Sequence, residues 1–263
     1  MMSLAAFLGG VLLNFLRYLG ETVLLAYETL LAICMGHVRP KLVIRQICEI
    51  GFGSQLVVLV TGAFTGAVFT AQTFFQFSNL NMESAVGPVV SVSMCRELGP
   101  VLVGLMVAGR VGAAMSAELG TMKVTQQIDA LRALAVHPID YLVVPRTIAM
   151  LVSVPLLIAE CIFIGIAAGY YMAVRVLGVS GVYYIANMYR FTHGSDIFMA
   201  MSKGLVFGII IVFISCREGL NAKDGAVGVG QATTEAVVIS SLSILIANFF
   251  LTLALNMIFP AGQ

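Results

Sequence analysis

Four charged side chains interrupt long apolar runs in a 263-residue chain of which only 10% is charged. A charge in hydrocarbon costs on the order of 2.5 to 3.5 kcal/mol on insertion scales, so such residues usually face protein or a polar cavity. Cations there could bind an anionic phosphate, and carboxylates could hold the cations when no phosphate is bound. The candidates for a substrate path are Arg96, Glu97, Glu160 and Lys203.

A second interpretation applies to the adjacent pair Arg96 and Glu97. At the outer membrane interface, snorkelling would remove most of the cost of both charges. Gly99 and Pro100 follow after Leu98 and predict an interrupted helix, which is tolerated only against protein or a cavity. This favours the substrate path.

No pattern typical of catalysis or metal binding accompanies these charges. His37, His137 and His193 lie far apart without zinc-site spacing. The cysteines are odd in number and widely spaced, which favours packing residues over disulfides or metal ligands: Cys34, Cys48, Cys95, Cys161 and Cys216. The glycine-rich "GAVGVGQATT" matches no nucleotide-binding motif and predicts a flexible loop. We expect no metal or cofactor on this chain, so any ATP would bind to another chain.

Composition indicates the class of protein. Hydrophobic residues make up 60% of the chain, and the mean hydropathy is +1.01. These values predict an all-α, polytopic membrane protein with one transmembrane domain over residues 1–263. The net charge of +1 offers no basic patch, which argues against a nucleic-acid partner.

Five apolar runs are predicted to span the membrane: 55–77, 98–117, 147–174, 197–215 and 237–258. Residues 1–50 are predicted to form one or two helices at the membrane surface, because the run from Leu4 to Leu16 is too short to cross. Arg17 and Glu21 have the i, i+4 spacing of a helical ion pair. Most lysines and arginines fall on the side of the N-terminus, which predicts a cytoplasmic N-terminus.

Small residues repeat at helical spacing along the second predicted span, and such stripes let helices approach closely. The stripe serves packing within one chain or a contact with a second copy, and both alternatives stay open. Its members are Gly104, Ala108, Gly112 and Ser116.

The segment "ELGTMKVTQQIDALRALAVHPIDYL" gathers charges between two predicted spans. Apolar residues at helical spacing, with Thr125 as N-cap and Pro138 beyond the end, predict an amphipathic helix over 125–136. It is too short to cross a membrane, and it lacks the basic face that binds anionic lipid. We therefore predict docking into a protein partner. The candidate coupling residues are Glu118, Gln127, Ile128, Asp129, Leu131 and Arg132.

The stretch "RELGPVLVGLMVAGRVGAAMSAELGTMKVTQQIDALRALAVHPIDYLVVPR", with "GAVGVGQATTEAVV", closely resembles the permease family of the bacterial lipid-asymmetry maintenance system, the MlaE family. The resemblance extends from about residue 40 to the C-terminus. This chain departs from the family pattern at one position: it reads "QQIDAL" where many relatives have a sequence similar to EQIDAL. Gln126 therefore cannot make the charged contact that a glutamate could make there.

The resemblance implies the permease of an ATP-binding-cassette transporter that moves phospholipids between the inner and outer membranes of a Gram-negative bacterium. It implies a homodimer in the inner membrane with phospholipid between the two copies, and a short coupling helix that docks into the ATPase. The implied partners are that ATPase, which carries ATP and Mg, a STAS-domain protein and a periplasmic hexamer of MCE-domain proteins. Two alternatives are a scaffold that only anchors an ATPase or MCE protein, and an ion-coupled secondary transporter.

Overall fold

The computed structural model describes residues 4–36, 38–80 and 82–258, except the side chains of residues 4–8, 11 and 15. His37 therefore lies outside the described residues. Within those ranges the chain forms eight helices and no strand. The helices are α1 (Leu4–Cys34), α2 (Pro40–Ser78), α3 (Glu83–Val124), α4 (Gln127–Ala133), α5 (Ile139–Val176), α6 (Gly181–Phe191), α7 (Gly194–Leu220) and α8 (Gly225–Ile258).

Five helices in this part of the chain, α2, α3, α5, α7 and α8, are long and apolar enough to cross a membrane. This confirms the prediction of an all-α polytopic protein. Each helix extends beyond its predicted span, and α3 differs most because it covers Glu83–Val124 instead of 98–117. Helix α8 already begins at Gly225 instead of residue 237. The prediction of a flexible glycine-rich loop there was wrong. Small side chains let this part of α8 pack closely on α3, where Ala232 and Ala236 are buried.

Helix α5 lies between α2 and α7 and carries much of the core. Glycines make the contact between α2 and α5 close: a Cβ added at Gly66 would overlap the carbonyl oxygen of Gly165. On the other flank, a Cβ at Gly208 would lie 3.2 Å from the carbonyl oxygen of Met150. Helices α7 and α8 both pack against the C-terminal half of α3. Close packing of this kind is typical of membrane bundles, where dispersion replaces the hydrophobic effect.

The end of α3, the short helix α4 and the start of α5 lie on one side of the bundle, which we call the coupling side. The α2–α3 connection and α6 lie on the opposite side, because each spanning helix carries the chain from one side of the bundle to the other. Residues 40–50, predicted as part of the surface segment, continue directly into the first spanning helix.

Helix α1 is one continuous helix that packs against α7 and the start of α5. The ion pair predicted within it is confirmed, with 3.1 Å between Arg17 Nε and Glu21 Oε1. Glu21 also accepts a hydrogen bond from Arg217 of α7 at 2.7 Å, and the Arg217 guanidinium lies 3.7 Å from the centroid of the Tyr18 ring. The hydrogen bond from Arg217 lowers the pKa of Glu21 below its usual 4.5. The position of α1 at the membrane surface stays a prediction.

Candidate functional site

Helix α3 continues through "CRELGP" instead of breaking there, and widens into a π-helical turn over Met94–Leu98. Pro100 explains the widening: its ring would clash with the carbonyl four residues earlier, and it has no N–H to donate. That carbonyl belongs to Arg96. The helix passes Pro100 because the amide of Gly99 bonds back to the carbonyl of Met94 and because another side chain reaches the Arg96 carbonyl. The predicted interruption is therefore a change of helical pitch.

Lys203 of α7 supplies that other donor. Its Nζ donates to the carbonyl of Arg96 at 2.6 Å, to Glu97 Oε1 at 2.9 Å and to Thr252 Oγ1 at 2.8 Å. An ammonium group has three N–H donors, so all of them are engaged. The lysine is 0% exposed. The expectation that Lys203 faces an open substrate path was therefore wrong, because it is a buried link between three helices.

Arg96 is the accessible cation of this cluster, with 17% of its side chain exposed. Its Nε donates to Asp196 Oδ1 at 2.6 Å, and its Nη1 donates to Asn256 Oδ1 at 3.0 Å. Asp196 is fully buried and also accepts from the amide of His193, which fixes the carboxylate at the start of α7. Further N–H donors of the guanidinium remain for a ligand.

Glu97 completes the cluster and connects it to α8. Thr252 Oγ1 donates to its Oε1 at 2.8 Å, and Asn248 Nδ2 donates to its Oε2 at 2.9 Å. The Glu97 side chain is 39% exposed. Asn248, Thr252 and Asn256 recur every four residues and so form one polar face of α8. We call the group of these residues with Arg96, Glu97, Asp196 and Lys203 the outer polar cluster.

The structure separates Glu160 from the outer polar cluster. This half-buried residue of α5 makes no hydrogen bond or ion pair among the described residues. Arg96 is instead held by Asp196, so the expectation that Glu160 holds a cation of the path was wrong. Sequence reasoning missed Asp196 because nothing near it in the chain marks a partner one hundred residues away. The period of four in α8 was a signal that could have identified its polar face.

The small-residue stripe of α3 is used inside the single chain. All four of its residues are buried. A Cβ at Gly104 would lie 3.1 Å from the ring of Phe207, and one at Gly112 would lie 2.9 Å from Ser215 Oγ. Both neighbours belong to α7. The stripe therefore fixes α3 against α7, and a second copy would need another surface.

On the coupling side, α4 covers Gln127–Ala133 and is shorter than the predicted 125–136. Thr125 does not cap it, since the Thr125 hydroxyl donates to the carbonyl of Thr121 at 2.7 Å. Left-handed residues flank the helix instead, Gln126 with φ 60° and Ala135 with φ 57°. Residues other than glycine rarely adopt the left-handed conformation, and it ends the helix on both sides.

The apolar residues of α4 are divided between two environments. Ile128 is 1% exposed, and Leu131 packs half-buried against the same core. The expectation that Ile128 contacts a partner was wrong, because this residue anchors α4 on its own chain. Contact of the half-buried Leu131 with a partner stays a prediction. Asp129 and Arg132 remain exposed beside Leu134, which is 74% exposed.

Glu118 connects the two helices on either side of α4. Its Oε2 lies 2.7 Å from Nη2 of Arg146, and the Arg146 side chain is almost fully buried at the start of α5. Arg146 Nη1 also donates to the carbonyl of Leu142 at 2.6 Å. This ion pair joins the end of α3 to the start of α5, the two helices that α4 connects. Gln127 is exposed, and its side chain donates to the Thr125 hydroxyl at 3.1 Å.

Comparison with known proteins links both sites to one family. The family model described as Permease MlaE matches residues 43–254, a range that includes α4 and most of the outer polar cluster. The chain belongs to the MlaE permease family. This MlaE-family chain is 41% identical over 252 residues to a probable ABC transporter permease protein of Rickettsia felis, covering 96% of this chain and 97% of the relative.

Two further relatives come from photosynthetic organisms. A probable ABC transporter permease protein of Synechocystis is 41% identical over 225 residues, covering 86% of each chain. The chloroplastic protein TRIGALACTOSYLDIACYLGLYCEROL 1 of Arabidopsis thaliana is 39% identical over 229 residues, covering 87% of this chain and 65% of that protein. The described residues include five helices that are long and apolar enough to span a membrane, so this MlaE-family permease is a multi-pass membrane protein and a transport subunit.

Proposed function

We propose that this permease is the membrane-spanning subunit of an ATP-driven phospholipid transporter that maintains outer-membrane lipid asymmetry. It acts in the inner membrane of a Gram-negative bacterium, with its N-terminus and its coupling side in the cytoplasm. ATP and Mg bind to a separate ATPase chain. The excess of lysine and arginine on the coupling side supports this orientation.

The observation that carries the proposal is the state of Arg96. Its guanidinium is a partly exposed cation on the spanning helix α3 that keeps donors beyond those held by Asp196 and Asn256. A phosphate in a site of reduced dielectric gains more from such a cation than it would in water. The buried Lys203 fixes the backbone that carries Arg96, and so it acts as a positioning residue.

The partners follow from the surfaces that remain. The exposed residues of α4 support docking of an ABC ATPase, since a short helix standing out from a bundle fits a groove in another protein. The apolar face of α8 supports a homodimer with lipid between the copies, because it carries exposed Leu242, Phe249 and Leu253 beside the outer polar cluster. A STAS-domain protein and a periplasmic MCE-domain hexamer complete the proposed complex.

Two other functions fit less of the structure. A scaffold that only anchors an ATPase or an MCE protein has no need for a partly exposed arginine among buried polar groups. An ion-coupled transporter would use Glu160, yet this residue lies apart from the outer polar cluster. That function would also leave α4 without a role.

The test uses the complex purified with its ATPase. Arg96→Gln removes the charge and keeps a hydrogen-bonding side chain, and Arg190→Gln serves as the matched arginine control on the same side of the bundle. We expect Arg96→Gln to lower the copurified phospholipid, measured after extraction, by about tenfold, the effect of losing one charge-assisted hydrogen bond. ATPase association should stay unchanged. Equal phospholipid in the wild type and in Arg96→Gln would refute the proposal and favour a scaffold.

A further inference from the structure

Helix α3 carries a second arginine, Arg110, fourteen residues after Arg96. The two Cα atoms are therefore only about 21 Å apart along the helix, less than the ~30 Å thickness of the hydrocarbon core. No position of α3 across a bilayer brings both arginines into water on opposite sides. With Arg96 near one interface, Arg110 reaches the headgroups of the other leaflet, on the coupling side.

The positive charge of Arg110 has no carboxylate partner among the described residues. The residue is exposed, and its Nη1 donates to Ser54 Oγ of α2 at 2.7 Å. Gly53 lets the guanidinium lie against the α2 backbone, since a Cβ there would be 2.6 Å from Nη2. Among the described residues no carboxylate lies within ion-pair distance of Arg110. A guanidinium has five N–H donors, so several are open to an anion.

Arg110 lines a small cleft of about 130 Å³ between α2 and α3, and both helices contribute polar and apolar residues to its lining. Its volume equals that of about four water molecules, so a group of the size of phosphate fits and a whole lipid does not. Glu49 and Gln46 line the same cleft, and Glu49 is exposed. Glu118, on the far wall, is already held by Arg146. The cleft thus offers a cation for a phosphate and a carboxylate for an ammonium group.

An apolar track leads away from this cleft along α2. It begins at Gly53 beneath the guanidinium and continues at helical spacing through side chains that are 46% to 69% exposed. Its members are Val57, Val60, Phe64 and Val68. The track covers about 22 Å of helix, which is enough to accompany an acyl chain through one leaflet. A polar cleft at one end of an apolar track matches a phospholipid better than it matches a free anion or an acidic protein segment.

We propose that Arg110 binds the phosphodiester of a phospholipid in the leaflet on the coupling side, with an acyl chain along the α2 track. Glu49 receives the ammonium group of a zwitterionic headgroup. This site rests on the proposed function and extends it, because it gives the transporter a lipid site in the leaflet opposite Arg96. Arg96 and Arg110 then mark the two leaflets between which the lipid passes.

The experiment places a photo-crosslinking amino acid at exposed Ala114, which lines the cleft, in the full complex in membranes of cells grown with radioactive phosphate. We expect a radioactive phospholipid adduct that falls by about tenfold in Arg110→Gln. Arg110→Lys keeps the charge and should keep most of the adduct, while Arg190→Gln should leave it unchanged. A crosslinker at Leu253 reports on the outer polar cluster in parallel.

Each contrary result has its own meaning. An Ala114 adduct unaffected by Arg110→Gln, or no adduct there while Leu253 still captures lipid, overturns this site and leaves the proposed function intact. Loss of lipid at both positions overturns the proposed function as well. Suppression of the Ala114 adduct by added inorganic phosphate would identify a site for free phosphate instead. A product with the mass of two protein chains would identify a protein interface.

Discussion

Replacing Lys203 with methionine tests the central link of the outer polar cluster. Methionine keeps an unbranched apolar stem that ends one atom short of the lysine nitrogen, and it removes all three N–H donors. Three acceptors then lose a donor, and one of them, Thr252 Oγ1, still donates to Glu97. The carbonyl of Arg96 has no donor from Pro100 and loses its lysine, while Glu97 keeps only Asn248 and Thr252.

The expected cost is about 3 kcal/mol in the free energy of unfolding. Removing one partner of a buried ion pair costs about 3 to 5 kcal/mol, and the 39% exposure of Glu97 puts its contribution below that range. The orphaned Arg96 carbonyl adds about 1 kcal/mol. Pro100→Ala supplies the missing backbone N–H, so it should recover about 1 kcal/mol in the Lys203→Met background.

A double-mutant cycle measures this coupling through reversible unfolding in detergent. Pro100→Ala should have little effect in the wild type, where Lys203 already donates to the carbonyl, and should stabilise only the Lys203→Met protein. Equal effects of Pro100→Ala in the two backgrounds would refute the explanation given for the π-helical turn. Glu97→Gln in the Lys203→Met background should also restore stability, since it removes the unpaired charge.

Three further outcomes are expected. Leu134→Asp should weaken association with the ATPase about tenfold or more in a pull-down, because the charge would enter a desolvated groove, while exposed Arg132→Ala should do much less. Gly66→Ala should lower the free energy of unfolding by about 1 to 3 kcal/mol through overlap with the α5 backbone, whereas Gly230→Ala, which meets nothing within 4 Å, should not. Since the pKa of Glu21 is lowered, its stabilisation is complete above the usual value of 4.5 and is lost as the pH falls through the lowered value. Thermal stability should therefore fall more steeply with acid in the wild type than in a Glu21→Gln control.

Hydropathy predicted the spanning helices because their apolar runs are long enough to cross a bilayer, whatever they pack against. By the same criterion the second predicted span began only after Arg96 and Glu97, and the fifth began only at residue 237, after the glycine-rich stretch. Hydropathy scores each residue by its own polarity and takes no account of the residues that contact it in the folded chain. Helix α3 continues past Arg96 because Asp196 and Asn256 lie beside this residue in space, although they are 100 and 160 positions away from it in the sequence.

The amphipathic pattern of α4 was recognised correctly, but its apolar side was assigned to the wrong partner. Periodicity shows that one face is buried without showing against which surface. Ile128 fills the core of its own chain, so a partner is left with the exposed part of Leu131, the polar residues and Leu134. Glu118 illustrates the same limit, because its buried partner Arg146 lies beyond the whole of α4 in sequence.

The two arginines of α3 share a feature of the backbone that connects the outer polar cluster with the proposed second lipid site. Arg96 lies in the π-helical turn Met94–Leu98, and Arg110 lies in another, Ala108–Gly112. Such turns are rare and occur often at functional sites. Each contains about one residue more than an α-helical turn, so it shifts the following residues around the axis by about 100° relative to a regular helix. Deleting a single residue from either turn, for example Cys95 or Gly109, should restore regular pitch and keep all later residues in register with α7 and α8, because the loss of one residue compensates for the loss of the widened turn. Deleting a residue from the regular stretch Gly99–Val107 between the two turns should instead rotate all later residues by about 100° and disrupt packing far beyond the deletion. A comparison of unfolding free energies checks this, and equal losses from both kinds of deletion would contradict the assignment of one extra residue to each turn.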